Sequence, residues 1–387
     1  MKENARAHAF AVIVIGAVGE LTLYIGPLLL GAAIDSFAFT LGDAGYLVSC
    51  EFGLSAVTSL YISSRKRLNN SKSIALFSIA LLIFCNWASF VTNSATLFVL
   101  CRLYAALGAG ALFAIGNTAA AGQKDPQRIF AMMIMVAVLL SSFVYAAAPT
   151  SIAILGPRGP LCLLLIVALA ACPFILGLSD GEPRAILAKK LPFRIVSPSL
   201  LTLTAIFMLY VSQSGLWAYV ERIGQTLGLS IESISFILAI NGFIAIGAGL
   251  LAGALGTRLG VFIPITVAFA VQIVVAFLLP RTSTVEMYGI NAITFTFALV
   301  FVVPYLKALL SKLDPTGRSA GLATAFITLG SATGPAVMGF ALNGGADFRS
   351  LSALACLGLT LAWALAMLVS RHPQLSARAN PTPSQQD

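Results

Sequence analysis

The sequence predicts an all-α membrane protein of twelve transmembrane helices in two pseudo-symmetric six-helix bundles. Three observations predict it. Hydrophobic residues fill 59% of the 387 positions and charged residues only 10%, where a soluble domain carries about 25% charged residues. No soluble fold of this length has interior enough for so much apolar surface, so lipid is its solvent. Second, apolar runs recur along the whole chain at the length of about 20 residues that a spanning helix needs. Third, lysine and arginine fall in alternate loops, as the positive-inside rule requires.

The twelve runs are 8–34, 44–63, 73–92, 95–119, 128–149, 159–178, 199–220, 231–255, 261–280, 285–310, 319–341 and 350–370. Only helices or closed barrels satisfy the backbone in lipid, and these runs are too long and unbroken for barrel strands. The first is also too long for a signal peptide, so it is expected to remain as a span. The longest connection, 179–198, holds Arg184, Lys189, Lys190 and Arg194 among Pro183, Pro192 and Pro198. It divides the chain into an amino-terminal bundle, 1–178, and a carboxy-terminal bundle, 199–370. Residues 371–387, rich in Pro, Ser and Gln, read as a disordered tail.

With the amino terminus in the cytoplasm, eighteen of the 23 Lys and Arg residues lie on the inner side. Only Arg158, Arg222, Arg281 and Arg349 lie outside, and Arg102 is within a helix. Both termini are therefore expected to be cytoplasmic, in the plasma or inner membrane. The halves echo each other. Asp125-Pro126 precedes Arg128 at the start of the fifth run, and Asp314-Pro315 precedes Arg318 at the start of the eleventh. The two aspartates are 189 positions apart, the separation of the halves. Parallel six-helix repeats with a site at the midplane are a known transporter plan.

Composition also excludes. The net charge of +9 is explained by the inner loops, so no nucleic-acid partner is expected. His8 and His372 are the only histidines, and none of the six cysteines forms a C-x-x-C pair. No metal site, disulfide framework or cofactor is therefore expected. There is no phosphate-binding G-x-x-x-x-G-K-[ST] loop. Catalysis would need a nucleophile–base pair or a metal cluster, so no catalytic residues and no enzyme activity are expected.

The chain resembles the major facilitator superfamily from about residue 8 to residue 370, mainly in topology and size. RLYAALGAG at 102–110 is similar to the family's R-x-x-x-G-x-G-type motif in the fourth helix, with Arg102 and Gly108 matching, Ala106 where the first glycine is usual, and Gly110 just beyond. The cytoplasmic G-x-x-x-D-R-x-G motif has lost its glycines and aspartate between helices two and three. Its repeat copy survives better at 253–260, as Gly253, Arg258 and Gly260 with Thr257 for the aspartate. The G-x-x-x-G-P antiporter motif is missing from helix five and stands in helix eleven as Gly330, Gly334 and Pro335. These small residues permit close helix approach and gating movements. The resemblance implies secondary transport of a small organic solute by alternating access, as a monomer in the lipid bilayer, with protons as the coupling ion by symport or antiport. A non-transporting receptor or scaffold of the same fold is the alternative.

Ionisable residues at bilayer depth report function. Glu20 lies near the middle of the first run, with Gly16, Tyr24 and Pro27 on its face. A carboxylate moving between buried and hydrated settings can titrate near neutral pH, which would make Glu20 a proton carrier. Two other readings stand beside it, a static partner for Arg102 and a direct contact to a cationic substrate. Arg102 has Ala106, Ala109 and Phe113 on its face, with Asn117 further along. It could pair with Glu20 or Glu51, bind a substrate carboxylate by its planar fork, or snorkel to the interface. Glu51 is level with it and is the third candidate for proton coupling.

The repeat spacing maps Glu20 near Gln213 and Arg102 near Asn291, so charge in the first half faces neutral amides in the second. Coupling is thus expected from the first half and substrate hydrogen bonding from the second. Trp217, one turn from Gln213, could stack on an apolar ligand. Asn241 and Tyr145 complete the cavity candidates with Tyr24, Phe113, Asn117, Gln213 and Asn291; for each the competing role is a helix–helix hydrogen bond.

Overall fold

The computed structural model describes residues 2–64, 70–123, 125–178, 197–256, 258–314 and 318–370. Among them there is no strand. The helices are α1 (Lys2–Tyr24), α2 (Gly26–Phe37), α3 (Leu41–Ser64), α4 (Ser71–Val91), α5 (Ala95–Ala121), α6 (Pro126–Leu155) and α7 (Gly159–Ala171), followed by α8 (Ser197–Ala218), α9 (Val220–Thr226), α10 (Ile231–Leu255), α11 (Phe262–Leu278), α12 (Val285–Leu313), α13 (Arg318–Asn343) and α14 (Phe348–Ser370). Short 3-10 turns extend α7 over Cys172–Gly177 and α11 over Leu279–Arg281.

Eleven segments among the described residues are long and apolar enough to cross a membrane. The twelfth expected run is α3, which at 24 residues is long enough. It is less apolar than the other eleven because it carries Asp43, Ser49, Glu51, Ser55 and Thr58. The fold is all-α and membrane-spanning, as the sequence predicts.

The first expected run, 8–34, is broken in two. Pro27 has no N–H to donate back along the helix. Ile25 takes φ −101° and ψ 13°, and Leu28 N donates to Ile25 O at 3.0 Å. The Tyr24 carbonyl is thereby released from the helical ladder, and the Tyr145 hydroxyl donates to it at 3.0 Å. A second break, at Tyr219, separates α8 from α9. There the Tyr219 hydroxyl donates to Leu41 O at 3.0 Å.

The repeated Asp-Pro pairs have a local cause. Asp125 caps α6 by accepting from Arg128 N at 3.2 Å, and Pro126 fills the first helical position. Proline suits that position because its missing N–H would be unsatisfied anyway. Asp314 plays the corresponding part for α13, accepting from Ser319 N at 2.8 Å.

The chain forms two compact units. One comprises Met1–Lys189, Trp217–Phe243 and Pro335–Gly345; the other comprises Lys190–Leu216, Ile244–Gly334 and Ala346–Asp387. Two segments of the second half, Trp217–Phe243 and Pro335–Gly345, thus belong to the first unit. Residues 179–196 and the expected tail 371–387 lie outside the described residues.

In the first unit α5 is the central helix, packed against α1, α3 and α4. Its small residues allow this. A Cβ on Gly116 would lie 2.5 Å from Gly16 Cα, one on Gly108 would lie 2.8 Å from Ser78 O, and one on Gly110 would lie 2.2 Å from Ser55 O. Those separations leave room for a hydrogen and nothing larger, so the backbones of four helices meet here. In the second unit α11 packs against α12 and α14. Gly330 and Gly334 lie against α8, where added Cβ atoms would be 2.7 Å from Phe207 O and 2.5 Å from Val211 O.

Candidate functional site

Close packing around α5 brings three polar side chains together in the first unit. Arg102 Nε and Nη2 donate to the two oxygens of Glu51 at 3.0 and 2.7 Å. Its Nη1 donates to Asn86 Oδ1 at 2.9 Å. Arg102 is 2% exposed and Glu51 1%. This is a forked guanidinium–carboxylate pair, with geometry that only arginine supplies. The packing explains the convergence: Gly110 lets α3 touch α5 on one side, and Gly108 lets α4 touch it on another.

The pair decides between the readings of Arg102. Its partner is Glu51, not Glu20, and burial excludes snorkelling. With all three nitrogens engaged, Arg102 offers no vacant fork to a ligand carboxylate. Asn86, which completes the set, escaped notice in the sequence. Its only signal is that it is a lone amide in an apolar run.

Glu20 is half-buried in the middle of α1. The Tyr24 side chain is its hydrogen-bonding neighbour. Glu20 lies between Ala17 and Tyr24 on the helix face that packs on Met133 and Ala137 of α6. It therefore stands one turn before the break at Ile25. The proximity of Tyr24 and Pro27 to Glu20 was legible from helical spacing; the break itself gives them their effect.

The remaining cavity candidates divide. Tyr145 is buried and braces the break through the Tyr24 carbonyl. Asn117 Nδ2 turns back to Phe113 O of its own helix at 2.9 Å. Phe113 is half-buried, with its backbone against Gly19 of α1. Trp217 is half-buried, and Asn241 and Asn291 are buried. In the second unit Gln213 Oε1 accepts from Gln272 Nε2 at 2.6 Å, joining α8 to α11. Gln213 thus makes the helix–helix contact that was the alternative to a ligand contact. Gln272, like Asn86, is a lone amide in an apolar run, and the sequence reading passed over it.

The motif residues also divide. Gly108, Gly110, Gly330 and Gly334 all sit at close helix approaches, and Pro335 is buried within α13. The close approach expected at Gly253 is not formed. A Cβ there would meet nothing within 4 Å, and Gly253, Arg258 and Gly260 are exposed. Gly260 has φ +69°, so the turn after α10 accounts for that glycine through backbone freedom rather than packing. Thr257, and residues 65–69 of the first copy of this motif, lie outside the described residues.

A further polar cluster in the first unit was not expected. Arg222, read from sequence as a plain loop charge, donates from Nη1 to Asp35 Oδ1 at 2.9 Å and from Nη2 to Asp35 Oδ2 at 2.5 Å. Nη2 also reaches Gly31 O at 2.9 Å. Glu221 lies beside them, 3% exposed. Sequence gives each residue a place at the end of an apolar run but not the α2–α9 contact that unites them.

The chain's relationships agree with this architecture. The family model described as Major Facilitator Superfamily matches residues 9–320. No curated protein is significantly similar in sequence. Among solved structures, an auto-inhibited POT family peptide transporter superposes with TM-score 0.68 at 13% identity, over 98% of each chain. A D-xylose-proton symporter gives 0.69 at 14%, over 92% of this chain and 97% of its own. A nucleoside transporter gives 0.70 at 12%, over 93% and 99%. At these identities the structures establish the fold alone. The family match over most of the chain, with helices and glycine contacts to support it, places this membrane protein in the Major Facilitator Superfamily.

Proposed function

We propose that the protein is a secondary active transporter that moves a small organic solute across the cytoplasmic membrane by alternating access, with Glu20 as the proton carrier. The observation that supports this best is the half-buried Glu20 carboxyl beside the α1 break. Arg102 is committed to Glu51, so it does not neutralise Glu20. A carboxyl in that position changes its proton affinity whenever its hydration changes. The break at Ile25 supplies a place where α1 and α2 can tilt independently, and Tyr24 and Tyr145 couple that movement to Glu20.

The same commitment narrows the substrate. With its own fork taken by Glu51, recognition of a solute carboxylate by Arg102 is disfavoured. Of Glu20, Glu51 and Arg102, Glu20 is the one left outside the ion pair, and it suits a neutral or cationic solute. Glu51–Arg102–Asn86 acts as a strut in the amino-terminal bundle.

The test is a flux screen in proteoliposomes, with neutral, cationic and anionic solutes, with and without an imposed pH gradient. Gradient-dependent accumulation of a neutral or cationic solute is the expected result. Binding without flux across the whole screen would favour a receptor of the same fold.

The charge distribution among loops supports cytoplasmic termini. Asp347, exposed at the start of α14, then faces outside. A cysteine introduced there should react with a membrane-impermeant maleimide added to intact cells. Reaction only after the membrane is opened would reverse the orientation.

A further inference from the structure

Glu221 is held where its charge lacks a dedicated partner. Its Oε1 accepts from Gln225 Nε2 at 3.2 Å. Its Oε2 is buried and has no hydrogen-bond partner. The neighbouring Arg222 is turned to Asp35, which takes both of its Nη groups. Glu221 lines a cavity of about 170 Å³ with Leu28, Asp35, Ile152 and Pro160. That is room for water, which needs only one probe sphere of space and a few polar contacts.

Among the described residues no other cation reaches this place. From α2 the only ionisable group is Asp35, 42% exposed. From α9 it is Arg222. The turn between α6 and α7 carries Arg158, whose guanidinium is spent on the carbonyls of Phe90 and Thr92 and on Asn93. At the start of α10, Glu232 is exposed. One guanidinium therefore serves two carboxylates, and the more buried of them is the one left over. A buried carboxylate without compensation is expensive, whereas the neutral acid costs little.

We propose that Glu221 is a proton-binding site that latches α9 onto α2. In the docked arrangement described here the proton sits on Oε2, within the cavity. Breaking that O–H bond passes the proton to water and leaves a carboxylate that is stable only when hydrated. The cavity holds only a few waters, so full hydration of the carboxylate requires α9 to separate from α2, which breaks the Asp35–Arg222 bridge. Gly31 makes the latch tight, since a Cβ there would stand 3.0 Å from both Arg222 Nη2 and Glu221 Oε1.

Burial pushes the Glu221 carboxyl up from 4.5 to about 7, opposed by Arg222 and reinforced by Asp35. The sign follows. A carboxyl raised in the docked arrangement costs nothing below pH 4.5 and weakens docking as the pH climbs to about 7. Within that window the docking equilibrium falls about tenfold per pH unit, and above it no further change is due to this group. The latch extends the transport reading, which gives the movement a purpose.

The test uses the full chain in lipid nanodiscs, in a cysteine-free background with nitroxide labels at Thr96→Cys and Thr226→Cys. Both positions are exposed. Pulsed electron resonance distances should show one short population at pH 5 and a growing longer population by pH 8. Glu221→Gln, neutral at every pH, should keep the short population throughout. A wild-type distribution that is the same at both pH values overturns the latch, and so does a Glu221→Gln variant that still responds as wild type. The wild-type titration decides even if the variant fails to fold. The labels need neither solute nor flux, so a failed latch and a failed transport reading are told apart.

Discussion

Replacing Arg102 with alanine should destabilise the protein by about 3–5 kcal/mol, because it strands the Glu51 carboxylate in a dry interior. Glu51 is 1% exposed, and the Arg102 guanidinium donates to both of its oxygens. Removing one member of a buried pair costs more than removing both, since an apolar pair of similar volume has nothing to desolvate. Glu51→Leu combined with Arg102→Met should therefore recover much of the loss. Arg102→Lys should fall between, because lysine keeps the charge but not the fork that reaches Glu51 and Asn86 together. Thermal unfolding of the purified proteins in nanodiscs measures all three. A melting curve for Arg102→Ala that overlays wild type would remove the strut from the account. If the double variant transports at a normal rate, the pair serves stability; a stable but inactive double variant would return it to the mechanism.

Glu20→Gln should abolish solute accumulation driven by a pH gradient while leaving exchange of internal for external solute. Glutamine keeps the shape and hydrogen bonding of the side chain beside Tyr24 but cannot carry a proton. Coupling requires the carrier to bind and release the ion in each cycle, whereas exchange needs only movement of the loaded protein. Both are measured in the same proteoliposomes by adding or omitting the gradient. Accumulation by the variant to the wild-type level would exclude Glu20 as the essential carrier.

The two substitutions draw on different levels of information. That Glu20, Glu51 and Arg102 are ionisable groups set deep within long helical runs was legible in the residues alone. Each stands inside an apolar run, and the depth of a residue in such a run follows from its rise of about 1.5 Å per position. Which carboxylate Arg102 takes was not legible, because two candidates on two helices satisfied the same spacing.

The sequence by itself determined the all-helical membrane class, the positions of the spans and the superfamily resemblance. It did so because lipid leaves the backbone few options and makes each span a long apolar run. It also marked the Asp-Pro helix starts and the glycines of α5 and α13. The tertiary structure decided what periodicity leaves open: how each helix is rotated and which neighbour faces it. Contacts of Gly108 with α4 and Gly110 with α3 carried Asn86 and Glu51 to Arg102. The break at Ile25 gave Tyr145 a carbonyl to hold. The meeting of α2 with α9 turned three separate end-of-helix charges into one cluster at a cavity. Spacing along a chain fixes the face of a helix, but contacts across some hundred and ninety residues, as between Asp35 and Arg222, exist only once the helices have packed.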